Sequence, residues 1–352
     1  MKKNLRNVLA LALGLMTTVS FAQDWNVDSR TRIDMSEKNG TDYQSTDQRV
    51  TLGATWGGSD WGIHVSSDVN YTLGGAAASM GIYEAYASAD LMGMASVTAG
   101  RQALDYGSGA LISSNQWSAN RTTWDGFTFG LGLSDMADIT LGYASANTGM
   151  GMEDNGNMHI NVGGEFGGWN VNILYMTQTG ITGLDANGAP VAASDDAATG
   201  IDISGGLMGA SINASMNTDF DGDEMRVIGL SYAVNDDMAV TISQTAYGDD
   251  NGFNMPGTNM DGSWLATGGM GYLGANDENL AYGLSYNLGG VSLGATMHNV
   301  TNTKDDTYER KAMEVSLGYS LGDNASLGLH YATDDTNGTE DKYTWVTLTV
   351  TP

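Results

Sequence analysis

The sequence predicts an all-β fold: a transmembrane, antiparallel, up-and-down β-barrel of about 18 strands, with 16 as the alternative count. Three observations carry this. Segments of roughly ten residues alternate apolar and polar side chains, a period-2 pattern that only a strand can show. Short and long connections alternate along the chain, so the two ends of the strands are not equivalent. Beyond residue 22 no segment is long and apolar enough to cross a bilayer as a helix, which takes about 20 apolar residues.

The chain starts with a predicted secretory signal over residues 1–22. Lys2, Lys3 and Arg6 supply the basic start, an apolar run follows, and Ser20-Phe21-Ala22 provides the cleavage site. Residues 23–352 then form one barrel domain. Cysteine is absent, so the ladder itself must hold the fold. A formal charge of −27 excludes a general nucleic-acid binder, because phosphate recognition needs clustered cations. Such acidity often accompanies disorder. Here 41% hydrophobic residues in strict alternation, with only three prolines, argue for folded strands.

Taken in order, the strands are expected at about 24–36, 47–56, 61–71, 82–91, 94–104, 122–133, 137–145, 158–166, 169–179, 198–206, 208–217, 224–234, 238–247, 278–288, 291–300, 308–320, 325–333 and 343–351. The tight turns 57–60, 91–94, 134–136, 167–168, 205–208, 234–237, 288–290 and 321–324 fall on one side, with the N-terminus. Longer loops at 37–46, 72–81, 105–121, 146–157, 180–197, 218–223, 248–277, 301–307 and 334–342 fall on the other. Each strand has a greasy face and a polar one: Val291, Leu293, Ala295 and Met297 alternate with Ser292, Gly294, Thr296 and His298. A soluble sandwich could alternate in the same way. The aromatics favour the membrane. Trp56, Trp61 and Trp169 flank tight turns, and Tyr143, Tyr175, Tyr232 and Tyr331 are expected toward the loop ends, as two interfacial girdles require.

Closing that many strands leaves a bore too wide for side chains to fill, so the bore holds water and the fold implies a channel for small hydrophilic or charged solutes. Basic residues are scarce, and their parity matters. Asp28, Arg30, Arg32 and Asp34 share the polar face of the first strand. Arg49 opposes Val50 and Leu52, and Arg310 shares a face with Glu314 and Ser316. These should face the bore, since arginine on the lipid side near mid-bilayer costs about 2–4 kcal/mol. Such a cluster could filter anions, or it could only brace the wall by pairing with neighbouring carboxylates. His64, His159, His298 and His330 all lie on polar faces of distant strands and read as lumen filler. Asn217, Asp219 and Asp221 have calcium-loop spacing, but Ile228 stands where the last acidic ligand belongs; a solvated Asp-Gly turn is the expected reading. No cofactor is expected, with calcium at the acidic external loops the one exception considered. The loops 105–121 and 248–277 exceed simple connections. The second carries Met255, Pro256, Met260, Trp264 and Leu265, and one or both are expected to fold into the mouth. No G-x-S-x-G elbow or other hydrolase arrangement is visible, so no enzyme is expected.

The stretch 100–127, GRQALDYGSGALISSNQWSANRTTWDGF, resembles a signature of the alginate-export porin family. Gly100, Arg101, Gln102, Leu104, Tyr106 and Gly107 match its strand end, and Leu111, Ile112, Trp117, Arg121, Asp125 and Gly126 match the loop and return. The resemblance implies an 18-stranded outer-membrane barrel in a Gram-negative bacterium, with Arg101 and Arg121 at the pore or constriction. Against it, Ala110 stands where that family carries a basic residue, and the eleven basic residues left after the signal are few for exporting a polyanion.

The first functional expectation is therefore a passive outer-membrane channel narrowed by inward loops, with an alginate-like export channel and a plugged adhesive barrel as alternatives. A soluble secreted β-protein is the reading outside the membrane. Expected surroundings are outer-membrane lipid and lipopolysaccharide outside and small solutes within. The wall also leaves room for a homo-oligomer.

Overall fold

Alternation becomes one antiparallel sheet of twenty strands in the computed structural model. It describes residues 23–116, 118, 121–133, 137–145, 156–184, 189–192, 196–248, 251–255, 257–258 and 273–352. The expected signal, the turn at 134–136, and Trp117, Pro256, Met260, Trp264 and Leu265 lie outside these residues. Two of the twenty strands, Glu37–Lys38 and Thr41–Asp42, are a small hairpin within the first loop. The other eighteen make the wall: β1 Gln23–Asp34, β2 Ser45–Gly57, β3 Trp61–Thr72, β4 Ala78–Asp90, β5 Ser96–Gln102, β6 Trp124–Leu133, β7 Ala137–Ser145, β8 Gly156–Phe166 and β9 Trp169–Thr179, then β10 Ala198–Leu207, β11 Ala210–Thr218, β12 Glu224–Ala233, β13 Met238–Tyr247, β14 Asp277–Leu288, β15 Val291–Asn302, β16 Glu309–Gly322, β17 Ala325–Thr336 and β18 Thr339–Val350. Each pairs with the next. β1 pairs with both β2 and β18, so the sheet closes and has no edge.

The greasy face points outward all round. Trp25, Leu52, Ile63, Phe127, Ile173, Ile203, Leu230, Tyr282, Leu293 and Leu329 are exposed, as side chains meeting lipid must be. Partners across an antiparallel ladder share a face, so register fixes what looks inward: Arg30 lies opposite Arg49, and Thr51 opposite Asp68.

Several expectations need correcting. The loop at 334–342 does not exist. β17 and β18 run on to a two-residue turn, with Asn337 at φ 51° and Gly338 at φ 83°, the left-handed pair that a tight hairpin requires. β4 likewise begins at Ala78 rather than near 82. These segments stand above the bilayer, where neither face meets lipid and the alternation fades. Tyr232 adjoins the turn 234–237 and belongs to the girdle on that side, because β12 runs from loop to turn.

Packing inside the barrel is concentrated at the loop end. Leu111 and Ile112, from the connection after β5, are buried against Leu174, Met176, Met225, Val300 and Tyr343 of the wall. Phe253 and Met255, from the connection after β13, join the same cluster, with the Tyr247 and Phe253 rings meeting edge-on at 6.0 Å.

Candidate functional site

The connection 103–123 crosses the bore and is moored on both sides. Asp105 bends it by accepting from the Ser114 amide and hydroxyl at 2.8 and 2.7 Å, and Ser113 and Ser114 are fully buried. Its tip reaches the far wall, where the Ser108 amide donates to Asp202 of β10 at 3.0 Å. Gly107 makes this possible: its φ is 56°, and a Cβ would overlap the Asp202 carboxylate. Tyr106 sits 5.3 Å from the His159 ring, and burial pushes its phenol up to about 12. Thr122 donates to the Gly257 carbonyl, joining the second inward connection to the first.

On the near wall the moorings are charged. Arg121 pairs with Asp68 of β3, donates to the Thr51 hydroxyl at 3.0 Å and lies over the Tyr83 ring. Tyr83 is the extra residue of a bulge where β4 shifts register against Ser66 and Ser67. The bulge lets Tyr83 and Glu84 both face the bore. The Tyr83 hydroxyl accepts from Gln116, and Glu84 accepts the Ala103 amide.

Against β1–β4 lies a cavity of about 350 Å³ lined by Arg30, Arg32, Asp47, Arg49, Asn70 and Ser79. Arg49 donates to the carbonyls of Gln116 and Ser118 at 3.0 and 3.2 Å, and Arg30 to the same two at 3.2 and 3.3 Å. Arg32 stacks 4.5 Å from the Trp345 ring centre. Carbonyls and rings hold a guanidinium in place without cancelling its charge. The charged groups around Arg30 are Arg32, Arg49, Arg121 and Asp28. Asp47 accepts from Ser45 and Thr72, and Asp34 accepts from Ser36.

The structure thus gathers Arg30, Arg32, Arg49 and Arg121, with Asp28 beside them and Asp34 at the end of β1. Arg310 is apart: it is locked onto Asp334 of β17 by two bonds of 2.9 and 2.6 Å. Arg101 does not face the bore. It pairs across the ladder with Asp125, which shares the face of the exposed Phe127 and Phe129, and the two form a bidentate ion pair of 2.6 and 2.7 Å on the outer surface. Its resemblance-derived pore role fails on that geometry. Asp68, Tyr83 and Gln116 were not singled out from the sequence. Asp68 shares the polar face of Ser66 and Asn70, but nothing in its neighbourhood separates it from the other acids.

Asn217, Asp219 and Asp221 do not converge. Asn217 donates to Ser215 at 2.7 Å. Asp219 accepts backbone N–H groups of Asp221, Asp223 and Asn254. Burial still raises its carboxyl above the usual range. It is therefore the bracket that ties the 219–223 turn to the connection after β13. The four histidines stay apart on β3, β8, β15 and β17; His298, for example, contacts Asn279 and Glu314 at 3.1 Å each.

No family model matches the chain, and no curated protein matches it. Solved structures do. The chain is similar to Pseudomonas aeruginosa OccK11 (OpdR), with TM-score 0.72 and 12% identity over 94% of this chain and 95% of that one. It is also similar to P. aeruginosa OpdK solved with vanillate, with TM-score 0.71 and 11% identity over 94% and 98%. P. aeruginosa OccD3 (OpdP) gives TM-score 0.68 and 12% identity over 95% and 93%. The shared feature is the closed eighteen-stranded barrel. The alginate-export resemblance of 100–127 finds no support among these.

Proposed function

We propose that this chain is a passive channel of the Gram-negative outer membrane whose narrowest part favours small solutes bearing a carboxylate or phosphate. One observation carries the reading. The guanidinium groups of Arg30 and Arg32 from β1 and Arg49 from β2 line a single cavity, held by loop carbonyls and an aromatic ring rather than by acids. A bore with low-dielectric walls focuses such charge on what passes. Guanidinium matches carboxylate or phosphate two bonds at a time. The overall charge of −27 opposes this only at a distance, because screening acts within about 8 Å at physiological salt. OpdK, which shares the fold, has been solved with vanillate, a carboxylate.

The test is the reversal potential of the purified barrel in planar bilayers across a salt gradient. Anion preference is expected. Cation preference would overturn the arginine reading, and silent bilayers would overturn the channel in favour of a plugged surface barrel.

A further inference from the structure

The arginine wall continues, strand by strand, into a second and larger cavity. Arg30 and Arg32 stand opposite Thr349 and Thr347 of β18. Those threonines stand opposite Ser326 and Gly328 of β17. Gly328 in turn pairs with Gly318 of β16, and Gly318 with Ser292 of β15. Cross-strand partners share a face, so the rows that carry the guanidinium groups run on along the bore as hydroxyls and glycines. Asn287, Ser292, Ser320, Ser326, Thr347 and Thr349 line a cavity there of about 660 Å³. Among the described residues that line it there is no carboxylate, although the chain has 41 acidic residues. Ser292 lies over Gly318, where a Cβ would overlap its hydroxyl. Thr347 is only 6% exposed, and its hydroxyl has no hydrogen-bond partner among the described residues.

We propose that this cavity receives the body of the solute whose anionic end the arginines hold, and that this body is polyhydroxylated, as in sugar acids and sugar phosphates. The inference rests on the anion-selective reading above and adds what the rest of the solute must be. Each serine or threonine hydroxyl offers one donor and two lone pairs, a pattern that another hydroxyl matches in either sense. Neighbouring strands are about 4.8 Å apart, so Ser326, two strands from Arg30, lies about 10 Å along the ladder. A small extended solute can span both. The want of carboxylates matters, because an acid this close would repel the anion. An alkyl or aryl body would strip water from these hydroxyls and return no hydrogen bond. Polar sites reject analogues that lack a hydroxyl for that reason.

Uptake into proteoliposomes at low, equal solute concentrations is the test, with pairs matched in charge. Gluconate is set against hexanoate, and glucose-6-phosphate against hexyl phosphate. The hydroxylated member of at least one pair should enter several-fold faster than its partner. Sorbitol, which has the hydroxyls without the charge, should lag behind that anion. In the combined variant Ser292→Ala, Ser326→Ala and Thr347→Val that ratio should fall several-fold, with heat-modifiable gel migration showing an intact barrel. Equal entry within both pairs, sorbitol entering as fast as the preferred anion, or an unchanged ratio in the variant would each overturn the proposal. Cation preference in the salt gradient would strike the arginine reading, whereas anion preference with equal entry within both pairs would strike this inference alone.

Discussion

The guanidinium of Arg121 lies 3.3 Å from the centre of the Tyr83 ring while its nitrogens hold Asp68 and Thr51, so one side chain bolts the crossing loop to β2, β3 and β4 at once. Both ends of the Arg121–Asp68 pair are nearly excluded from solvent. Removing one partner of a buried pair costs up to about 3–5 kcal/mol, less where lumen water can reach it. Asp68→Ala should therefore free the loop without unfolding the wall. The expected record is a larger and noisier single-channel current, with heat-modifiable gel migration unchanged.

Arg49→Gln keeps hydrogen-bonding capacity toward Gln116 and Ser118 but removes the charge. Anion preference in a salt gradient should fall, and should fall further in the double variant with Arg30→Gln. An unchanged reversal potential in the double variant would locate selectivity elsewhere.

Arg101→Gln supplies the contrast. Its pair with Asp125 sits on the outer surface and both side chains are more than a third exposed. Exposed pairs contribute about 0.2–1 kcal/mol. Ion preference should stay as it is and thermal stability should change little. A shift in reversal potential comparable to that of Arg49→Gln would contradict the assigned face.

Gly107→Val puts a β-branched side chain where φ is positive and the Asp202 carboxylate is in the way. The tip should leave the far wall, and conductance should rise. Deleting 250–272 should widen the mouth as well, because Phe253 and Met255 anchor that connection beneath the rim. Unchanged conductance in both variants would mean that neither connection limits flow.

Much of the barrel was legible because lipid enforces alternation: wherever a strand crosses the bilayer, parity places its side chains. Arg30, Arg32 and Arg49 could be placed inward on that basis alone. Where lipid stops, legibility stops. The polar run at 334–342 looked like a loop and proved to be two strand ends and an Asn-Gly turn. Arg101 was misplaced because its pore role was carried over from the resemblance of 100–127, whereas its register opposite Asp125 puts it on the face of Phe127 and Phe129. Tyr83 was invisible because a bulge shifts parity by one, and no sequence signal marks a bulge among Gly81, Ile82 and Glu84.

The two moorings of the crossing loop come from distant parts of the chain: Arg30, Arg49 and Asp68 precede it, whereas Asp202 arrives some eighty residues after it. The tip can be seated only when the tenth strand stands opposite the first three, so the bar across the bore and the curvature of the wall depend on each other.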